Sequence, residues 1–183
     1  MLIGYILYWL VLIFELVFSF SLAGYLISLL FSSFMGSPYV PTKDKEAEFF
    51  LKEAKLKKGQ IFYDIGCGDG RIVRTAVKEY QVKGTGIDIN PLLIWLAKFL
   101  AKTKKVKNVE FITKNIFDVD LRQVDVLYIF LMPKFIEKIF PKLKKELKKG
   151  ALVISHGFTV EGLKKNLIHK IDHTPFPTYF YRV

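Results

Sequence analysis

The chain has 183 residues, a formal net charge of +11 and a single cysteine, Cys67. That length supports one domain with a full core, and a lone cysteine excludes a disulfide framework or a cysteine-based metal cluster. Residues 1–42 hold no Lys or Arg and one acid, Glu15, so all 28 bases and 16 of the 17 acids follow, a net +12. Such a basic surface suits an anionic membrane or nucleic acid, although lysine runs such as residues 142–149 also occur as solvated helix faces.

Residues 2–35 are apolar almost throughout, with Trp9 and several Tyr and Phe. As one helix they extend about 50 Å, against about 30 Å of bilayer hydrocarbon, so the segment spans with tilt or continues past the interface. It fits a signal peptide poorly, having no basic leader, too long an apolar run and no small-residue cleavage site. Residues 1–35 are therefore read as a transmembrane helix. Because bases begin only after it, the remainder is expected on the cytoplasmic side of a single-pass protein, or on the matrix side in a mitochondrion. Glu15 lies inside the span, either meeting a partner or staying protonated. Gly24, Ser28 and Ser32 recur every four residues, a weak helix-contact stripe.

Residues 36–42 form a proline-bearing linker, Ser37-Pro38-Tyr39-Val40-Pro41-Thr42, and residues 43–183 a folded domain. Thr42 reads as the N-cap of a helix over residues 43–56. A strand follows at 60–65, a helix at 70–80 and a strand at 83–89. Asn90-Pro91 is an N-cap with proline at the first helical position, opening a helix to about residue 102. Strands at 109–113 and 124–130, a helix at 133–147, a strand at 151–156 and a short helix at 160–166 come next. A hairpin over 167–174 and 178–183 ends the chain. Alternating strand and helix implies a doubly wound, mostly parallel α/β sheet of seven strands, with the hairpin adding antiparallel pairing at one edge.

The most informative stretch is the end of the first strand. Asp64 is followed by Gly66, Gly68 and Gly70 at alternate positions, then by an amphipathic helix. Strand, glycine turn and helix N-terminus make a nucleotide-type cofactor cradle at the carboxyl edge of the sheet. A dinucleotide fingerprint needs glycine at position 71, where Arg71 stands. The pattern resembles instead motif I of class I methyltransferases, which bind S-adenosylmethionine. For that ligand the turn suits the methionine carboxylate, and Asp64 its amino group. Asp88, at the end of the second strand, suits the ribose hydroxyls. Asn115 is placed either for the adenine edge or as a turn residue, with Ile116 and Phe117 packing on the ring. No metal site is expected.

The chain as a whole resembles the membrane-anchored lysine methyltransferases that modify the ATP synthase c subunit and the adenine nucleotide translocase, with their prokaryotic relatives. The likeness rests on the N-terminal span, on Pro38-Tyr39-Val40-Pro41-Thr42, on Asp64-Ile65-Gly66-Cys67-Gly68-Asp69-Gly70-Arg71-Ile72-Val73, and on Asn90-Pro91 after Asp88. It implies a Rossmann-like methyltransferase sheet and a donor held by Asp64, Gly66, Gly68 and Asp88. It also implies that the Tyr39–Thr42 segment closes over the donor and shapes a lysine channel. Asn115 departs from the Asp of many relatives. The fourth strand exits as Phe130-Leu131-Met132-Pro133, without the Asn/Asp-Pro-Pro-Tyr of amino-methylating nucleic-acid enzymes.

The expected activity is therefore methylation of a lysine on a membrane protein. A neutral amine must attack, and with a pKa near 10.4 only about one free lysine in 2,500 is neutral at pH 7, a deficit of about 4.6 kcal/mol. An apolar aromatic channel lowers that pKa. Tyr39, Phe130 and Phe158 are candidate walls, with core packing the competing reading for both phenylalanines. His156 is a possible base but reads more readily as structural, and Cys67 in the turn argues against a cysteine nucleophile. Two other acceptor classes remain open: a lipid, quinone or other small molecule, which the anchor fits equally well, and nucleic acid, which the anchor and the fourth-strand exit argue against.

Overall fold

The computed structural model describes residues 2–34 and 40–183. The chain starts with helix α1 (Leu2–Phe34). Within it, Leu2–Ser28 is long and apolar enough to cross a membrane, and no part of its most apolar stretch is buried. Glu15 lies between these two ends. Of the small-residue stripe, Gly24 faces open space, while Ser28 meets the domain rather than another helix. Its hydroxyl donates to Asn90 Oδ1 (2.9 Å), and Asn90 Nδ2 donates to the Ser28 carbonyl (2.9 Å) and hydroxyl (2.6 Å).

The domain begins with α2 (Asp44–Glu53). Thr42 does not cap it: the cap position is Lys43, with no side-chain bond, and Asp44 and Glu46 in the first turn supply the negative charge that a helix N-terminus favours. Then come β1 (Ile61–Ile65), α3 (Arg71–Tyr80), β2 (Lys83–Asp88), α4 (Pro91–Thr103), β3 (Val109–Thr113), β4 (Val126–Ile129), α5 (Pro133–Glu146), β5 (Leu152–His156), β6 (Leu167–Ile171) and β7 (Thr178–Arg182). The seven strands lie in the order β3-β2-β1-β4-β5-β7-β6. The first five are parallel, and β7 runs antiparallel to both β5 and β6. This is the doubly wound, mostly parallel Rossmann-like sheet with a terminal hairpin that alternating strand and helix predict.

The apolar strands are covered on both sides, as buried parallel strands must be. Phe50, Phe62, Val73, Ile94, Phe111 and Phe180 pack on the face carrying α2, α3 and α4. Ile65, Ile87, Leu127, Ile129, Ile139 and Val153 pack on the face carrying α5. Chain order reverses between β1 and β4, which opens a crevice at their carboxyl ends. Two local devices hold the crevice walls. Asn90 accepts from the Leu92 and Leu93 amides and starts α4. Gly86 in β2 lets that strand run against Phe111 and Cys67: a Cβ there would lie 2.6 Å from Phe111 Cδ1 and 2.8 Å from Cys67 Sγ. Gly86→Ala is accordingly expected to destabilise the domain by about 1–3 kcal/mol, read as a lower urea midpoint at unchanged slope.

Candidate active site

A cavity of about 330 Å³ opens at the crevice, lined by the ends of β1, β2 and β4 and by residues 40–42. Asp64, Gly66, Gly68, Asp88, Asn115, Ile116 and Phe130 line it; Gly70 does not. Tyr39 lies outside the described residues, so its expected place in the channel carries no structural statement.

Asp64 is only 2 % exposed. Among the described residues no hydrogen bond reaches its carboxylate. Burial above all, and then the charges of Asp88 and Asp69, push its pKa well above the usual carboxylate range. A buried carboxylate without a partner is costly, and a ligand that brings a cationic donor removes the cost. Asp88 is differently placed. Its two oxygens accept from the Gly68 amide (2.9 Å) and the Asn90 amide (2.8 Å). Burial raises its pKa against the lowering effect of those amides. Each oxygen keeps a second lone pair, which suits the vicinal hydroxyls of a ribose.

The glycine turn serves the site otherwise than its pattern suggests. The Gly66 and Cys67 amides both donate to the Ile87 carbonyl, Gly68 to Asp88 and Gly70 to the Cys67 carbonyl. The Arg71 amide donates to Asp69 Oδ1. Most of the turn's donors are thus spent on holding its own shape, and the positive charge at the cavity comes from the side chains of Arg71, Lys114 and Lys138. Gly66 and Gly68 adopt φ of +76° and +53°, in the left-handed region that favours glycine. Gly70 is needed for packing: a Cβ there would lie 2.2 Å from Phe111 Cε1. Asn115 Oδ1 accepts from the Phe117 amide (3.1 Å) and caps a short 3-10 turn over residues 116–118, which leaves its amide nitrogen for other contacts.

Two residues that sequence reasoning passed over shape the site. Arg71 reaches back across the cavity mouth: Nη1 donates to the Thr42 carbonyl (2.9 Å), Nη2 lies 3.3 Å from Asp69 Oδ2, and Nε lies 3.4 Å from Asp44 Oδ1. It ties residues 42–44 to the glycine turn. Asp69 is itself braced from below by the buried Arg74, whose guanidinium donates to its carbonyl. Tyr128 pairs in register with Asp64, stacks on Phe50 and lines the cavity; its buried hydroxyl lies near Thr42 without a hydrogen bond of normal geometry. Burial, and then the Asp64 charge, hold that phenol well above its usual pKa, so it stays neutral. The cation in Arg71 was visible in the sequence; its partners, 27 to 29 residues earlier, were not.

Phe158 and His156 do not line the cavity, and Cys67, which does, is unsuited to act as a nucleophile. Phe158 packs on the α5 side of the sheet. His156 is buried behind Phe130, edge-on at 4.6 Å between ring centroids, with Nδ1 2.9 Å from Thr178 Oγ1. Burial, and then His173, lower its pKa to about 4, which makes it a poor acceptor for an ammonium proton. The Cys67 thiol is pushed well up, first by burial and then by Asp64, and stays protonated. No metal-ligand cluster occurs among the described residues.

Known proteins share both the sequence and this arrangement. Residues 64–166 match the family model described as the ANTKMT methyltransferase domain, more than half of the chain. The chain belongs to the ANTKMT methyltransferase-domain family. A protein-lysine N-methyltransferase of Saccharolobus islandicus is 39% identical over 137 residues, covering 74% of this chain and 85% of that protein. The mouse lysine N-methyltransferase named for the ATP synthase c subunit is 33% identical over 122 residues, 66% of this chain but 49% of that protein. The chain thus spans about half the length of that animal relative. Among solved structures, an RNA methyltransferase from Salinibacter ruber in complex with S-adenosyl-L-homocysteine superposes with a TM-score of 0.74 at 30% identity, covering 79% of this chain and 94% of that one. S-adenosylmethionine fits the cavity of this ANTKMT-family domain by chemistry: an ammonium for Asp64, a ribose diol for Asp88 and an adenine for the apolar floor at Ile116.

Two outcomes follow for binding of S-adenosylhomocysteine, read by calorimetry. Asp64→Asn removes a charged bond and should weaken binding by about 10- to 100-fold. In the ligand-free protein the same change should stabilise. A raised carboxylate pKa costs stability as pH climbs from the normal carboxylate range through the raised value, so the variant's thermal advantage should grow as pH rises above about 4. Arg71→Ala should weaken binding by about fivefold with little change in thermal midpoint, because it frees residues 42–44 without opening the core.

Proposed function

We propose that this chain transfers a methyl group from S-adenosylmethionine to a lysine side chain of a membrane protein, while anchored in the same membrane by α1. When bound, the donor supplies a methyl group on a positively charged sulfur, open to in-line displacement by an amine. Asp64 holds the donor's amino group and Asp88 its ribose. Residues 40–42, fastened by Arg71, cover the mouth. On the acceptor side Tyr128, Phe130, Leu131 and Phe135 form a mostly apolar, aromatic wall. Such a wall favours the neutral amine that must attack, and its ring faces also accept the cationic form on entry. The chain's contribution is alignment, exclusion of water and a shifted lysine pKa, and the ammonium proton is lost to water before transfer rather than to His156.

The observation that carries this reading is the 39% identity to a protein-lysine N-methyltransferase over most of both chains. Support for a membrane-protein acceptor comes from relatives named for the ATP synthase c subunit and for the adenine nucleotide translocase, together with the apolar length of Leu2–Ser28. Sharing a bilayer with the acceptor raises their effective concentration. The Salinibacter relative's name and the net +12 beyond Thr42 favour RNA as a second acceptor.

One experiment separates the acceptors. Membranes containing the full chain are incubated with methyl-labelled donor and fractionated into protein, lipid and RNA. Label is expected on lysine of a small integral protein, and Phe130→Ala should cut that rate by about tenfold or more. Label on RNA alone, with binding that weakens steeply with salt, would favour the second reading. Label on lipid alone would contradict both.

A further inference from the structure

Helix α4 has a face that the domain leaves uncovered. Its inner side, Leu93, Ile94, Ala97 and Ala101, is buried. Its outer side carries Trp95, 62 % exposed, and Phe99, 50 % exposed, stacked one turn apart with ring centroids 5.9 Å from each other. Leu92 extends the stripe by a further turn. Exposed Lys98 and Lys102 share the helix with these rings, exposed Lys104, Lys105 and Lys107 follow it, and the first acid after Pro91 is Glu110 in β3. Aromatic rings flanked by lysines are the composition of a protein surface at the lipid headgroup level.

The position of this face identifies what covers it. Ser28 lies in the C-terminal turns of α1, which runs to Phe34. Ser28 is bonded three ways to Asn90, the cap of α4. The uncovered helix therefore starts beside the C-terminal part of the apolar one. We propose that α4 lies on the membrane surface, with Trp95 and Phe99 set among the lipid headgroups and upper acyl chains and the lysines facing anionic lipid. The inference rests on α1 being a membrane span and goes beyond it: a span alone leaves the orientation of the domain open, whereas two contacts fix it. Leu93, on the inner side of the same helix, lines the donor cavity. The cavity is thereby held about one helix diameter from the lipid, within reach of lysines near the interface.

The chain has two tryptophans, Trp9 in α1 and Trp95 in α4, so depth can be read at each. The full chain carrying Trp9→Phe or Trp95→Phe is reconstituted into phosphatidylcholine vesicles with or without phosphatidylglycerol. The lipids bear a spin-label quencher near the headgroup or near the chain end. Trp95 is expected to shift to the blue, to be quenched more by the shallow label than by the deep one, and to lose that quenching without phosphatidylglycerol or with Lys98→Glu and Lys102→Glu together. Trp95 open to aqueous iodide and indifferent to both labels, while Trp9 is quenched, would overturn this inference and leave the span standing. If neither tryptophan is quenched, both the inference and the anchoring reading fail.

Discussion

The site is organised around a carboxylate with nothing to hold. Asp64 ends β1 at the switch point, 2 % exposed, facing a neutral phenol and two further aspartates. Burial and both aspartates make its charge harder to keep. Such a group marks a place for a ligand that brings a cation, and a methyl donor with a free amino group is of that kind. The surrounding arrangement follows from this constraint. Asp88 is satisfied by amides and so can stay as a hydrogen-bond acceptor beside it. Arg74 and Arg71 pair with Asp69, and Arg71 then ties residues 42–44 to the glycine turn.

The sheet and the location of the cavity were legible because they rest on local signals. The three alternating glycines, the acidic strand ends and the Asn90-Pro91 cap each act within a few residues, and their spacing follows backbone geometry. Three features were misread or invisible for the opposite reason. Thr42 has the chemistry of a cap, yet its carbonyl is taken up by Arg71. The turn's amides look available to a ligand carboxylate, yet strand β2 supplies the Ile87 carbonyl and the Asp88 side chain that engage them. Ser28 reads as part of a helix-contact stripe, yet it meets Asn90, 62 residues later. Gly70 shows the same division. Its spacing suggests ligand contact, while Phe111, brought in from β3, makes it a packing glycine. Sequence pattern carries short-range geometry well and long-range partners poorly.

Donor and acceptor are supported by different kinds of physics. The donor half is rigid, built from strand ends and a fixed turn, and shared with methyltransferases of several acceptor classes. In the proposed reading the acceptor half is made of rings, Tyr128 and Phe130, beside residues 40–42. There, selectivity comes from exclusion of water and from reach rather than from a proton acceptor, since His156 is both buried away from the cavity and low in pKa. That division explains how relatives named for protein lysine and for RNA share one scaffold. In the proposed reading, α1 and α4 bear on the same question by limiting which acceptors come near.

The role of Asp64 is tested most directly by proton accounting. If it binds the donor's ammonium from a state with a raised pKa, association must release a proton. Calorimetric titration with S-adenosylhomocysteine at several pH values above about 4, in buffers of different ionisation heat, should show net proton release, abolished by Asp64→Asn. Binding of equal strength in wild type and variant, with no dependence on buffer in either, would contradict the account.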